Sequence, residues 1–428
     1  MVMGADRTGA CGPATSRSAD GPGSGLYDRA PSDRGGRLAR GRGHVVAPAA
    51  SRPRRAVRPE PTPVATIAEE LLPLPTASYR EERVLDYVRR FAATRGLACD
   101  ADRAGNLYVS YRRGRAPRPL VLTAHTDHPG FVVTAVRGRR LTLEFRGGLS
   151  AQYGVGERVR LFGDGTATAR VTAVRARPPA RRGAARRIAG ATATLEPGGS
   201  AAVGDLALWD VEPFRLRGTT IHARACDDLA GCVAVLATLD RAAAGGAPGH
   251  LVGLFTRAEE VGLLGAAAAA HGGHIPERAI VIAVETSSMA GGRAVQGGGP
   301  IVRVGDAQHI FSSSVSLWMT ALAAQLVDEG GGFAYQRKLM DGGTTEATAF
   351  DLMGHETGAA CIALGNYHNA GPRGRVRAET VDLGDLEGLV RLFERMRREL
   401  PRYERVLTDA RRRWQRIGRD ALRELAGG

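Results

Sequence analysis

The chain has 428 residues, 43% of them hydrophobic, enough to bury a core and to form more than one domain. Its net charge of +15 would ordinarily raise nucleic acid as a partner, but the charge is nearly all arginine, gathered in one terminal segment and one loop, so that partner is not expected. No apolar run approaches the roughly 18 residues of a membrane span, and no apolar stretch follows the charged start, which argues against membrane insertion and against a secretory signal.

Residues 1–62 are rich in Arg, Gly, Pro, Ser and Ala and poor in bulky apolar side chains, so this segment is expected to stay disordered. From Val64 the pattern becomes globular. Ser78 followed by Glu81 reads as a capping box, and Val84, Leu85, Val88, Phe91 and Ala92 then repeat at helical spacing, which predicts a surface helix without chemistry.

The run PLVLTAHTDHPGF reads as a buried strand that stops on polar side chains, among them His125 and Asp127. About 90 residues then interrupt the pattern, a length that suits a separate small domain. Short runs such as RLTLEFRGG, ERVRLFG, TARVTAV and ATATLEP predict an inserted all-β, barrel-like domain over 133–222. Its loop at 175–187, RARPPARRGAARR, is the second basic cluster and reads as a solvated loop.

In ARACDDLAGCVAVL, Asp227 and Asp228 stand where a strand-like approach meets an apolar helical run. Asp228 suits the N-cap position, which leaves Asp227 needing a cation. The strand-then-ligand order recurs in HLVGLFTRAEEVGLLG with Glu259 and Glu260, in RAIVIAVETSS with Glu285, and in GAACIALGNYHNAG with His368. Open α/β sheets gather ligands outside the carboxyl ends of their strands, so five strand ends should deliver these groups to one rim.

Each residue alone has an ordinary explanation: His125 as a core histidine, the two glutamates as a helix start. Their recurrence in order points instead to a two-metal site. Two imidazoles and several carboxylates with no thiolate pair suit zinc, cobalt or manganese, one carboxylate bridging ions roughly 3.5 to 4 Å apart. The cysteines, five and scattered, lack metal-ligand or disulfide spacing and predict a reducing, cytoplasmic compartment.

HTDHPGFVV, CDDLAGCVAVL, TRAEEVGLLGA, the strand carrying Glu285 and GNYHNAG together resemble the tetrahedral and glutamyl aminopeptidase family of dinuclear metallopeptidases. The resemblance covers most of residues 64–400. It implies a mixed-sheet α/β/α catalytic domain over 63–132 and 223–428, with the β domain inserted between and mediating homo-oligomer contacts. It further implies that Asp227 bridges two divalent metal ions, zinc foremost. His125 and Glu285 would complete one site, and Glu260 and His368 the other. Glu259 would be the general base, and Asp127 would orient His125 by accepting its second ring proton.

The implied activity is removal of N-terminal residues from peptides by a metal-activated water. A carboxypeptidase or an N-acyl amino acid hydrolase of the same clan is the alternative, and a non-catalytic basic binding protein a third. Three positions depart from the family pattern: His128 where Glu is common, GGTTEA at 342–347 where GGTDA is common, and Glu285 where Asp is common. The first two are expected near the substrate.

Overall fold

A computed structural model describes residues 60–116, 118–178, 185–292, 294–340 and 342–426. The tail expected at 1–62 lies outside them up to position 59, as do residues 179–184 of the Arg-rich loop.

The chain begins with helices α1 (Val64–Leu71) and α2 (Glu82–Thr94), then strands β1 (Ala98–Ala101), β2 (Leu107–Arg113) and β3 (Leu120–His125). Six strands follow: β4 (Gly130–Arg137), β5 (Arg140–Arg146), β6 (Arg158–Phe162), β7 (Thr166–Arg177), β8 (Arg187–Leu195) and β9 (Leu206–Trp209). They close into a barrel in the order β4-β5-β8-β7-β6-β9. In β5 the residues from Arg140 alternate exposed and buried, the period-2 signature of a strand with one wet face. Inside the barrel Phe131 packs 4.7 Å from Phe145 and edge-on, 5.0 Å, to Trp209. The described ends of the Arg-rich loop are already strand residues, in β7 and β8, which pair antiparallel.

Next come β10 (Phe214–Arg217), β11 (Thr220–Ala223), α3 (Leu229–Gly245), β12 (Gly249–Thr256), α4 (Leu264–His271), β13 (Ile280–Ser288) and β14 (Ile301–Arg303). The chain ends with α5 (Ser313–Asp328), β15 (Gln336–Lys338), α6 (Glu346–Leu352), β16 (Glu356–Leu364), β17 (Glu379–Asp382), α7 (Leu383–Glu399) and α8 (Tyr403–Ala426).

The main sheet has eight strands in the order β1-β2-β12-β3-β13-β16-β14-β15. Its centre, β12-β3-β13-β16, is parallel, whereas β2 pairs antiparallel with β12 and β14 antiparallel with β16. Parallel strands are covered on both faces and so read as continuous apolar runs. In β3, Leu120, Leu122 and Ala124 join the core under α1, α3, α5 and α7, while Val121 joins the core under α4 and α6. A buried leucine in such a layer contributes about 1.5–3 kcal/mol. The result is the mixed α/β/α architecture with a small β domain that the sequence predicts.

Two sequence expectations fail at the front of the chain. Helix α2 starts at Glu82, and neither Ser78 nor its N-cap residue Glu81 makes a side-chain cap hydrogen bond to it. The Ser78 hydroxyl donates to Asp127 Oδ2 at 2.6 Å, and Glu81 accepts from the Tyr79 N–H and from Nε and Nη2 of Arg257. Both buried carboxylates need donors, and these contacts supply them. The segment expected to carry no chemistry therefore braces the loops beside the site.

Candidate metal centre

Three of the five chain segments arrive as the strand pattern predicts and two do not. His125 is the last residue of β3, Glu259 and Glu260 lie in the turn after β12, and His368 follows β16 in a tight turn. Glu285 lies within β13, opposite Cys361 of β16, and not at the strand's end. Strand β3 pairs with β13 only as far as Thr123 opposite Ala283, so the sheet parts there and opens one edge of β13 beside Glu285. Asp227 follows β11, which belongs to a separate sheet in the order β10-β11-β17 and not to the main one.

Asp227 is held from β17. Its N–H and that of Cys226 donate to Glu379 Oε2 at 3.0 and 2.7 Å, while the His368 N–H donates to Glu379 Oε1 at 2.7 Å. One buried carboxylate thus fixes the backbone of two candidate ligands. The Asp227–Asp228 peptide bond is cis. Asp228 caps α3 as predicted, accepting from the Gly231 N–H at 3.2 Å.

The two oxygens of Asp227 face different imidazoles: Oδ1 is 3.5 Å from His125 Nε2, and Oδ2 is 3.4 Å from His368 Nε2. Glu260 Oε1 is 3.0 Å from His368 Nε2. Two ligand groups result, His125–Asp227–Glu285 and Asp227–Glu260–His368, each with donor atoms within 4.8 Å of one another. Both Nδ1 atoms are turned to carbonyls, His125 to Asp127 O at 3.1 Å and His368 to Gly148 O at 2.6 Å. A ring that donates from Nδ1 leaves its Nε2 lone pair for a metal.

Asp127 stands beside His125, its backbone carbonyl 3.1 Å and its carboxylate 3.6 Å from Nδ1. The carboxylate also accepts the N–H groups of Glu259 at 2.9 Å and Glu260 at 3.2 Å. Gly265, at the start of α4, packs against the same turn: a Cβ there would lie 2.3 Å from the Arg257 carbonyl oxygen.

The electrostatics fit cations. Burial would lower both imidazoles, but Glu259, Asp127 and Asp227 hold His125 well above its ordinary value, and Glu260 and Asp227 do the same for His368. Burial pushes Glu285 up to about 8, and burial with the neighbouring Glu260 and Glu285 carboxylates raises Glu259. Asp227 goes the other way, since its two histidine contacts outweigh its burial. Glu285 Oε1 is buried without a hydrogen-bond partner, a costly state that a metal ion would relieve. The donor set therefore fits two divalent ions.

The site opens into a cavity of about 460 Å³, with His125, Asp227, Glu259, Glu285 and His368 among its lining residues. Arg303, Tyr367 and residues Gly342 to Thr345 supply further walls, so the start of GGTTEA is at the cavity as expected. Glu346 is not: it is fully buried and accepts from the Thr123 and Thr256 hydroxyls. His128 also departs from expectation. It is buried between Asp227 O at 2.7 Å and Asn369 Oδ1 at 3.2 Å, where its ring braces the Asp227 backbone and does not face the cavity.

A sequence model of the M42 glutamyl aminopeptidase family matches residues 105–392. Among solved structures the chain is similar to a TET aminopeptidase from Thaumarchaeota archaeon SCGC AB-539-E09, at 20% identity and a TM-score of 0.67 over 80% of this chain and 99% of that one. It is similar to aminopeptidase APDkam598 from Desulfurococcus kamchatkensis, at 21% and 0.65 over 78% and 94%. It is also similar to the Pyrococcus horikoshii TET1 peptidase, which can assemble into a tetrahedron or a large octahedral shell, at 23% and 0.63 over 78% and 99%. No curated protein matches the chain.

Proposed function

We propose that this chain, which belongs to the M42 glutamyl aminopeptidase family and is a peptide hydrolase, removes N-terminal residues from peptides with the help of two divalent metal ions, zinc foremost. The observation that carries this reading is the placement of Asp227, with one carboxylate oxygen toward each of two imidazoles. His125, Asp227 and Glu285 would hold one ion; Asp227, Glu260 and His368 would hold the other.

Bound there, the pair of ions would lower the pKa of a water toward neutrality and polarise the scissile carbonyl. Glu259 lines the cavity, its Oε2 4.0 Å from His125 Nε2, and has no place in either ligand group. It accepts the proton of the attacking water and returns it to the leaving amine, a transfer worth about 10²- to 10⁴-fold. Asp127 positions Glu259 through its backbone.

In this reading the chain divides into a tail at 1–62, a catalytic domain at 63–132 and 223–428, and a β domain at 133–222 through which copies assemble. The assembly of the Pyrococcus protein supports a homo-oligomer. Free cysteines at positions 99, 226, 232 and 361 support a cytoplasmic setting.

The test is a turnover screen of free peptides, N-acetylated peptides and acyl amino acids with added zinc, cobalt or manganese. Free peptides should be shortened from the N-terminus, and chelation should abolish turnover. Preference for acetylated peptides or acyl amino acids would favour the acyl hydrolase alternative.

A further inference from the structure

Helix α8 has 24 residues and lies beyond the family match, which ends at 392. Its first turn belongs to the body: Tyr403 is buried edge-on to Trp318 at 5.1 Å, and Val406 and Leu407 pack on the same core. From 411 to 420 every residue is exposed. The apolar stripe nevertheless continues past the body through Tyr403, Leu407, Ala410, Trp414, Ile417 and Ala421, at alternating intervals of four and three. That spacing is the narrow seam of a coiled coil. Trp414 is 71% exposed and Ile417 43%, with nothing over them among the described residues.

We propose that a second copy of this chain covers the stripe, α8 against α8, antiparallel and related by a two-fold axis near residues 415 and 416. In that register Trp414 of each copy meets Ile417 of the other, and Ala410 meets Ala421, so two bulky layers sit between two small ones. Arg413, beside the seam, meets Asp420 of the second copy, twice by symmetry. A parallel pair would set Arg413 beside Gly418 and lose both ion pairs.

The charges also separate this partner from a lipid surface. The helix carries seven arginines, as a helix on anionic lipid does, but Asp420 borders the stripe and Glu424 continues it. Acidic groups there repel anionic headgroups, whereas in the seam Asp420 is paired. The contact is separate from any made by the β barrel and does not depend on the peptidase reading.

Full-length protein with Ile417→Cys should be captured as a covalent dimer by a short thiol-to-thiol cross-linker. Arg412→Cys, on the opposite face, should give only the wild-type background. On the Ile417→Cys background, Arg413→Asp should lower the yield several-fold and a second change, Asp420→Arg, should restore it. Thermal unfolding midpoints should be the same in all these variants, which shows that they fold. Equal cross-linking at positions 412 and 417, or no rescue by the double charge reversal, overturns the proposal. So does retention of the protein on phosphatidylserine vesicles that Trp414→Glu abolishes while position 417 stays at background, which would make the stripe a lipid-binding face.

Discussion

Asp127 Oδ1 accepts the backbone N–H of Glu259 at 2.9 Å, so the proposed base is positioned by the carboxylate two residues beyond a proposed metal ligand on the neighbouring strand. The other oxygen, Oδ2, accepts from Glu260 N–H and from the Ser78 hydroxyl. The HxD pattern here joins the end of β3 to the turn after β12, with the Asp127 carbonyl and carboxylate both beside the His125 ring.

Asp127→Asn keeps the shape but turns an amide NH₂ toward donors. Turnover should fall about 10- to 100-fold, as for other groups that orient a metal site. Stability should fall by about 1–3 kcal/mol, because a buried donor loses its acceptor. Ser78→Ala should act in the same direction and more weakly. Steady-state kinetics with denaturant titration measure both, and an Asp127→Asn protein with unaltered turnover would remove Asp127 from the site.

Glu379 makes a second prediction. It holds the amides of Cys226, Asp227 and His368 without reaching the cavity. Glu379→Gln leaves all proposed ligands in place, yet metal affinity should weaken about 10- to 100-fold. Calorimetric titration of the metal-free protein should show that loss, and activity should recover at higher metal concentration.

How far the site was legible follows from what each residue needs. The candidate ligands stand out because strand ends carrying charge are conspicuous against apolar runs, and the α/β/α layers follow from those runs. No local pattern marks Glu379 as a carboxylate that accepts backbone amides, and the partner of Ser78 lies 49 residues away along the chain. Ser78 reads as a cap because Ser-x-x-Glu before an apolar helix is a capping signature. The place of His128 after the HxD pattern points it at the substrate, but the chain bends there and turns its ring toward the Asp227 backbone. The route of Asp227 through the small sheet depends on β17, which lies more than 150 residues downstream of β11.

Asp385 gives a pH test away from the metals. Burial raises it from 3.8 to about 6, although it accepts from the Gly297 and Gly299 amides. A group whose folded value lies above its unfolded one favours the folded state most below the unfolded value. That contribution is present below 3.8 and is lost as pH rises through about 6. Asp385→Asn should flatten the stability change over that window, as read from denaturation midpoints, and an unchanged slope would place the titration elsewhere.

The central claim is the division of labour between adjacent glutamates, and comparing two substitutions by metal content and turnover tests it most directly. Glu259→Gln should retain both ions and lose turnover by about 10²- to 10⁴-fold, the contribution of general base catalysis. Glu260→Gln should lose affinity for one ion together with activity. If Glu259→Gln loses a metal while Glu260→Gln keeps both and loses only rate, the two roles are reversed; if neither change lowers turnover, the chemistry does not take place at this centre.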